Sequence, residues 1–247
     1  EIAKQLPIKD IYNDLARPTV STVGQGLQGV TKLALAPISV LVWGYDKIAD
    51  YLDAAIPEYF EKRKIEKEKI ISPDPMIAVP VLEAMRYTSH REELREMFTN
   101  LLGEAMNVDS MDAHPAFVNI IKQLSPDECR MLEYLRRDNR MPMLKIRQKV
   151  DEKNGEIDRS PFFSNICYLT KCQFPQKFPE YLDNLHRLGL VEVYYDRFLT
   201  DDYFYKELRE SVIYQKLIPK EEVNLIEKKS FYEISEFGKK FCSVCID

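Results

Sequence analysis

Between Arg91 and Asn107 the apolar residues Leu94, Met97, Phe98, Leu101, Leu102 and Ala105 recur at steps of three and four. That spacing lays them along one stripe of a 3.6-residue helix and is incompatible with the two-residue period of a strand. A helix so strongly one-sided needs other apolar elements to cover it, and the neighbouring sequence supplies them. "HPAFVNIIKQL" puts Phe117, Ile120, Ile121 and Leu124 on one face, with His114 at the helix entry and Pro115 in the first turn. "SPDE" at Ser125 to Glu128 has the form of a capping box, and predicts a helix over Asp127 to Arg137. Upstream, Lys4 to Arg17 suits a short amphipathic helix. Asp46 to Ile71 reads as helical with an interruption at Pro57, and its end, "EKRKIEKEKII", as a solvated helix face. In "SPDPMIAVP" the residues Pro73, Pro75 and Pro80 are expected to limit regular structure.

Beyond Arg137 strands enter. "MPMLKIRQK" reads as a short strand, "PFFSNICYLTKC" as a helix, and "PEYLDNLHRLGL" as a helix with Tyr181, Leu182, Leu185 and Leu188 inward, stopped by Gly189. "LVEVYYDRFL" and "SFYEIS" read as strands, followed by the helix-like "EFGKKFCSVC". Helix, strand, helix, helix, strand, strand is the order of a winged helix, with Thr200 to Lys229 as an enlarged wing carrying a helix near Tyr205 to Tyr214. The expected fold is therefore mainly α: a helical N-terminal region over residues 1–110, then a winged-helix-like α+β unit over residues 111–247.

Gly24, Gly26 and Gly29 spell the G-x-G-x-x-G of a dinucleotide loop. The strand that should lead into it carries Thr19, Ser21 and Thr22 where a central parallel strand is apolar on both faces, and nothing after Asp46 supplies a third strand. No cofactor is expected. Two readings of Val20 to Trp43 stand instead: glycines that let a helix pack closely in a core, or a membrane-active segment. The tract falls short of the ~20 apolar residues of a bilayer span, so the second reading is interfacial or conditional insertion.

With 35 Lys and Arg against 40 Asp and Glu, the formal charge of −5 gives no global attraction to nucleic acid. The five cysteines are odd in number and widely spread, fitting buried thiols in a reducing compartment. A zinc set drawn from Cys167, Cys172, Cys242 and Cys245 is the weaker reading, and no metal is expected. His90, His114 and His186 lie far apart, and acidic pairs such as Asp201-Asp202 and Glu221-Glu222 read as surface solvation. No nucleophile elbow or phosphate loop is present in the sequence. The helix around Lys177 to Leu188 mixes Lys177 and Arg187 with Glu180 and Asp183, which suits protein docking better than DNA. Lys177, Tyr181, His186 and Arg187 are its candidate interaction surface.

"LPIKDIYNDLARPTVSTVGQGLQGVTKLALAPISVLVWGYDKI", "REELREMFTNLLGEAM" and "HPAFVNIIKQLSPDECRMLEYL" resemble the Abi-alpha family of bacterial proteins, a group associated with abortive phage infection. "LHRLGLVEV" and "YEISEFGKKF" carry the resemblance less distinctly in the carboxyl half. The resemblance implies a phage-defence role and supplies no catalytic residues. The expected protein is a non-enzymatic defence factor, cytoplasmic or peripheral to the inner membrane. It would act through a protein partner or self-association, or through membrane association by Val20 to Trp43. A winged-helix DNA-binding regulator and an enzyme whose site converges from distant segments are the alternatives.

Overall fold

A computed structural model describes residues 45–88, 91–149, 155–218 and 224–246. The expectations for Lys4 to Arg17 and for Val20 to Trp43, with its three glycines, lie outside these residues, as do His90 and the Glu221-Glu222 pair. The chain divides into two compact units, one running to Gln123 and including Val244–Asp247, the other Leu124–Ser243.

In the first unit, α1 (Tyr45–Arg63) runs straight through Pro57. The expected interruption does not occur. A proline costs about 3 kcal/mol inside a helix, and the burial of Ile56, Tyr59 and Phe60 around it offsets that cost. The helix ends at Arg63, so the charged run beyond it is not the helical face expected from its sequence. Lys64 takes φ 53°, while the amides of Lys64 and Ile65 donate to the carbonyls of Glu61 and Phe60 at 3.2 and 2.9 Å. These bonds form a Schellman closure with lysine in place of the usual glycine.

The proline-rich connector is likewise a helix, α2 (Pro75–Thr88). Asp74 accepts the Met76 amide at 2.8 Å and Pro75 occupies the first turn, where its missing N–H has no cost. Ile77, Ala78, Val81, Leu82 and Met85 are buried, and this packing carries the helix past Pro80. α3 (Glu92–Ala105) carries the predicted stripe, with Leu94, Met97, Phe98, Leu101 and Leu102 all buried. Gly103 lies against the Tyr59 ring, where an added Cβ would collide with the ring carbons. α4 (Pro115–Ile121) follows, its start closed by His114, whose Nδ1 accepts the Ala116 amide at 3.1 Å.

The second unit begins with α5 (Pro126–Asp138). Its capping box is present as predicted: Ser125 Oγ accepts the Glu128 amide at 3.3 Å, and the Ser125 amide donates to Glu128 Oε2 at 2.6 Å. Then come β1 (Arg140–Lys149), β2 (Glu156–Phe163), the single turn α6 (Ile166–Leu169), α7 (Phe178–Arg187), β3 (Val191–Tyr194), α8 (Tyr203–Glu210), α9 (Val212–Leu217), β4 (Leu225–Ile234) and α10 (Glu236–Cys245). The sheet is antiparallel, in the order β2-β1-β4-β3. "PFFSNICYLTKC" is thus strand end and one turn rather than a single helix, because Pro161 to Phe163 are drawn into pairing with β1.

Met141 to Leu144 of β1 are buried in succession, so this part of the sheet is covered on both faces. A core of Leu144, Ile146, Phe163, Tyr205, Leu208 and Tyr214 holds α8 and α9 to it. The turn after α7 is another Schellman closure, with Gly189 at φ 74° and Leu190 donating to the Leu185 carbonyl at 3.0 Å. Leu101 is fully buried at the centre of its stripe. Replacing it by Ala is expected to cost roughly 2–5 kcal/mol, read as a lowered midpoint of chemical denaturation.

Candidate functional site

The position of α7 is set by a buried carboxylate. Asp127, in the first turn of α5, accepts the amides of Gln173 at 2.8 Å and Phe174 at 3.0 Å and the Tyr181 hydroxyl at 2.9 Å, and it pairs with Arg130. Burial alone would raise its pKa, but these donors outweigh it and hold the carboxyl below its ordinary value. Beside it, Glu128 takes the Asn184 side-chain amide at 2.6 Å. Two adjacent carboxylates therefore fasten α5 to α7 and to the segment that leads into it.

Cys167 and Cys172 lie in the same region. A Schellman closure at Lys171, φ 53°, folds the Cys172 amide onto the Cys167 carbonyl at 2.8 Å. The two thiols share a hydrogen bond. That bond and burial raise the Cys167 pKa, and the same bond, with Thr170 at 3.2 Å, lowers that of Cys172. Among the described residues no three His, Cys, Asp or Glu side chains gather as a metal ion would require.

The end of α5, so anchored, forms one wall of a cavity of about 770 Å³ within this unit. Tyr134 and Asp138 come from α5, Arg140 from β1, Asn165 and Leu169 from either end of α6, Phe198 and Asp201 from the loop before α8, Phe204 and Glu207 from α8, Phe231 and Glu233 from β4, and Lys239 from α10. The α8 wall is fixed by Tyr205, wholly buried, whose hydroxyl donates to the Ser230 carbonyl at 2.9 Å and accepts the Leu199 amide at 3.0 Å. With Tyr205 and Leu208 turned to the core, Phe204 and Glu207 of the same helix line the cavity.

Apolar and acidic groups meet at this cavity. Phe198 is 59% exposed, Leu169 49% and Phe204 41%. Arg140 pairs with Glu233 at 2.6 Å and Lys239 with Glu236 at 2.6 Å, so the two cations of the lining are engaged. Burial, the hydrogen bond with Asp138 and the charges of Asp138 and Glu207 all raise the Tyr134 pKa, which places both carboxylates within electrostatic reach of one ring.

The residues singled out from sequence lie elsewhere in the unit. Lys177, His186 and Arg187 are exposed on and beside α7, whereas Tyr181 is buried and donates to Asp127. Lys177 Nζ stands 5.7 Å from the Phe174 ring centroid, His186 Nδ1 lies 3.0 Å from the Val191 carbonyl oxygen, and Arg187 donates to Asn184 Oδ1 at 2.6 Å. Of the Asp201-Asp202 pair, Asp202 bonds Lys229 at 2.5 Å and Asp201 lines the cavity. The cavity residues escaped sequence reasoning. "RFLTDDYFYKEL", where aromatics interleave with carboxylates, was the available signal.

Fold and site together define a mainly helical protein of two units, the second built on a four-stranded antiparallel sheet and hollowed by an acidic, aromatic-lined cavity. The chain belongs to the abortive infection alpha family, whose model matches residues 46–245. No curated protein matches it. It is similar to a solved structure of an uncharacterized protein from the hydrocarbon-degrading marine bacterium Alcanivorax borkumensis SK2, at 18% identity over 55% of this chain and 97% of that one, with a TM-score of 0.34.

Asp127→Asn would set an amide group among donors that need an anion, and should cost roughly 3–5 kcal/mol. Because the folded pKa of Asp127 lies below the unfolded value of about 3.9, its stabilisation is complete above that value and fades as pH falls through the lower folded one. The stability gap between the two proteins, measured by denaturation from neutral to acid pH, should therefore be constant near neutrality and narrow below about pH 3.9.

Proposed function

We propose that this protein is a phage-defence factor that acts through a contact with a protein partner, made at the mouth of the cavity in its second unit. Family membership supports the defence half of this reading. The observation that carries the other half is the exposure of Phe198, Phe204 and Leu169 around one acidic cavity. Large apolar side chains held out of a core are the anchors that protein interfaces bury. The action is stoichiometric recognition rather than turnover.

The order of helices and the β3–β4 pair support reading the second unit as winged-helix-like, with α8 and α9 as an enlarged wing, used as a docking module. Lys177, His186 and Arg187, on and beside α7, offer a further contact surface. Nucleic acid is disfavoured there because Glu180 and Asp183 interrupt the basic groups. Membrane association would rest on Val20 to Trp43. No helix among the described residues is long and apolar enough to cross a bilayer.

Cells expressing the chain should plate a susceptible phage at lower efficiency than cells without it and, when every cell is infected, should stop growing before releasing progeny. Equal plating and equal burst across a broad phage panel would refute the defence role. Flotation of the full chain with anionic liposomes separates the two routes: protein that stays at the bottom of the gradient supports protein contacts, and protein that floats supports the membrane.

A further inference from the structure

The lining of the cavity has a chemical preference that its shape alone does not give. Asp138, Asp201 and Glu207 line it without an ion-pair partner among the described residues, while the two cations of the lining are held by Glu233 and Glu236. Glu207 accepts the Tyr203 hydroxyl at 2.6 Å and Asp201 the Tyr203 amide at 2.9 Å, both neutral donors that leave the negative charges uncancelled. The three carboxylates come from the end of α5, the loop before α8 and α8 itself, so the cavity gathers them from separate elements.

Aromatic faces stand among them. Tyr134, Phe198 and Phe204 line the same space. The chain already uses this chemistry next door, where Tyr194 stacks on the lining residue Phe231 at 4.7 Å and carries the Arg197 guanidinium 5.2 Å from its ring centroid. Carboxylates and ring faces converging on one cavity are complementary to a group that is cationic and flat, or apolar along its stem.

We infer that the cavity is the receptor for a basic side chain, an arginine guanidinium or a lysine ammonium, presented by the protein partner. The inference rests on the protein-contact reading of function and gives it a chemistry. The charged head is held by Asp138, Asp201 and Glu207, and its methylene stem lies against Phe198 and Phe204. The partner surface is correspondingly basic at its centre and apolar around it.

The test uses the full chain and small probes of known charge. N-acetyl-arginine methylamide and N-acetyl-lysine methylamide are titrated by NMR, with N-acetyl-citrulline methylamide as the neutral isostere of arginine and spermidine as a free polyamine. The cationic amino-acid probes should shift the Phe198 and Phe204 ring resonances, and the citrulline probe should not. Binding should weaken on raising salt from about 50 to about 500 mM. Asp138→Asn with Glu207→Gln should weaken it roughly tenfold. Both residues are exposed, and an unchanged melting temperature confirms that the variant is folded. Equal binding of arginine and citrulline probes, binding indifferent to the double variant, or binding of spermidine alone would overturn the inference.

Plating separates this inference from the reading beneath it. Loss of both probe binding and protection in the double variant supports the two together. Loss of probe binding with protection intact would sink the functional role of the contact while leaving the cation site. Protection by the unmodified chain with no probe binding would sink the cation site while leaving the defence role.

Discussion

Asp127 is a charge taken out of water at the first turn of a helix, and such a charge is tolerated only where the protein replaces its hydration. Four groups do so: the Gln173 and Phe174 amides, the Tyr181 hydroxyl and the Arg130 guanidinium. Because three of these donors come from residues some way along the chain, the carboxylate is satisfied only when the segment before α7 has closed over α5. Glu128 adds the same condition through Asn184, while its second oxygen completes the capping box. The start of α5 is thereby fixed to α7 and its far end, with Tyr134 and Asp138, is aimed as one rigid piece toward the cavity.

The opposite wall is held by a neutral version of the same device. Tyr205 is fully buried, and its hydroxyl has both a donor and an acceptor partner, in Leu199 and Ser230. Turning Tyr205 inward orients α8, and helix geometry then puts Phe204 and Glu207 on the cavity side. Arg209 bound to Glu227, with the Tyr214 hydroxyl on the same carboxylate, ties this helical pair to β4. Phe204 and Glu207 on α8, and Asp138 at the end of α5, thus sit on elements anchored through their buried faces. Rigid support beneath a poorly satisfied surface is the arrangement expected of a place that meets a partner.

What could be read from the sequence was what local chemistry decides. The α3 stripe, the Ser125–Glu128 box, His114 at a helix entry and the stop at Gly189 each depend on residues within a turn or two, and each has its predicted form. Prolines misled in one direction. Pro75 opens a helix and Pro57 and Pro80 are carried inside helices, since burial of neighbouring side chains outweighs the lost hydrogen bond. β2 is not legible in the sequence, because most of "EIDRSPFF" is exposed or half-buried and its strand character comes from pairing with β1. The cavity was illegible for the same reason as the Asp127 cluster: its residues run from Tyr134 to Lys239, and no local pattern announces that they meet. Asp201 and Asp202 look alike in sequence, yet one binds Lys229 and the other lines the cavity.

The central claim, that the exposed rings at the cavity mouth are the working surface of a defence protein, is tested most directly by removing them. Phe198 and Phe204 lie outside the buried core, so Phe198→Ser with Phe204→Ser should leave the full chain folded with a cooperative melting transition. In a plating assay against a phage that the unmodified chain restricts, the account predicts that cells carrying this variant plate as many phage as cells with no copy of the gene. Full restriction by a folded variant expressed at the same level would contradict it.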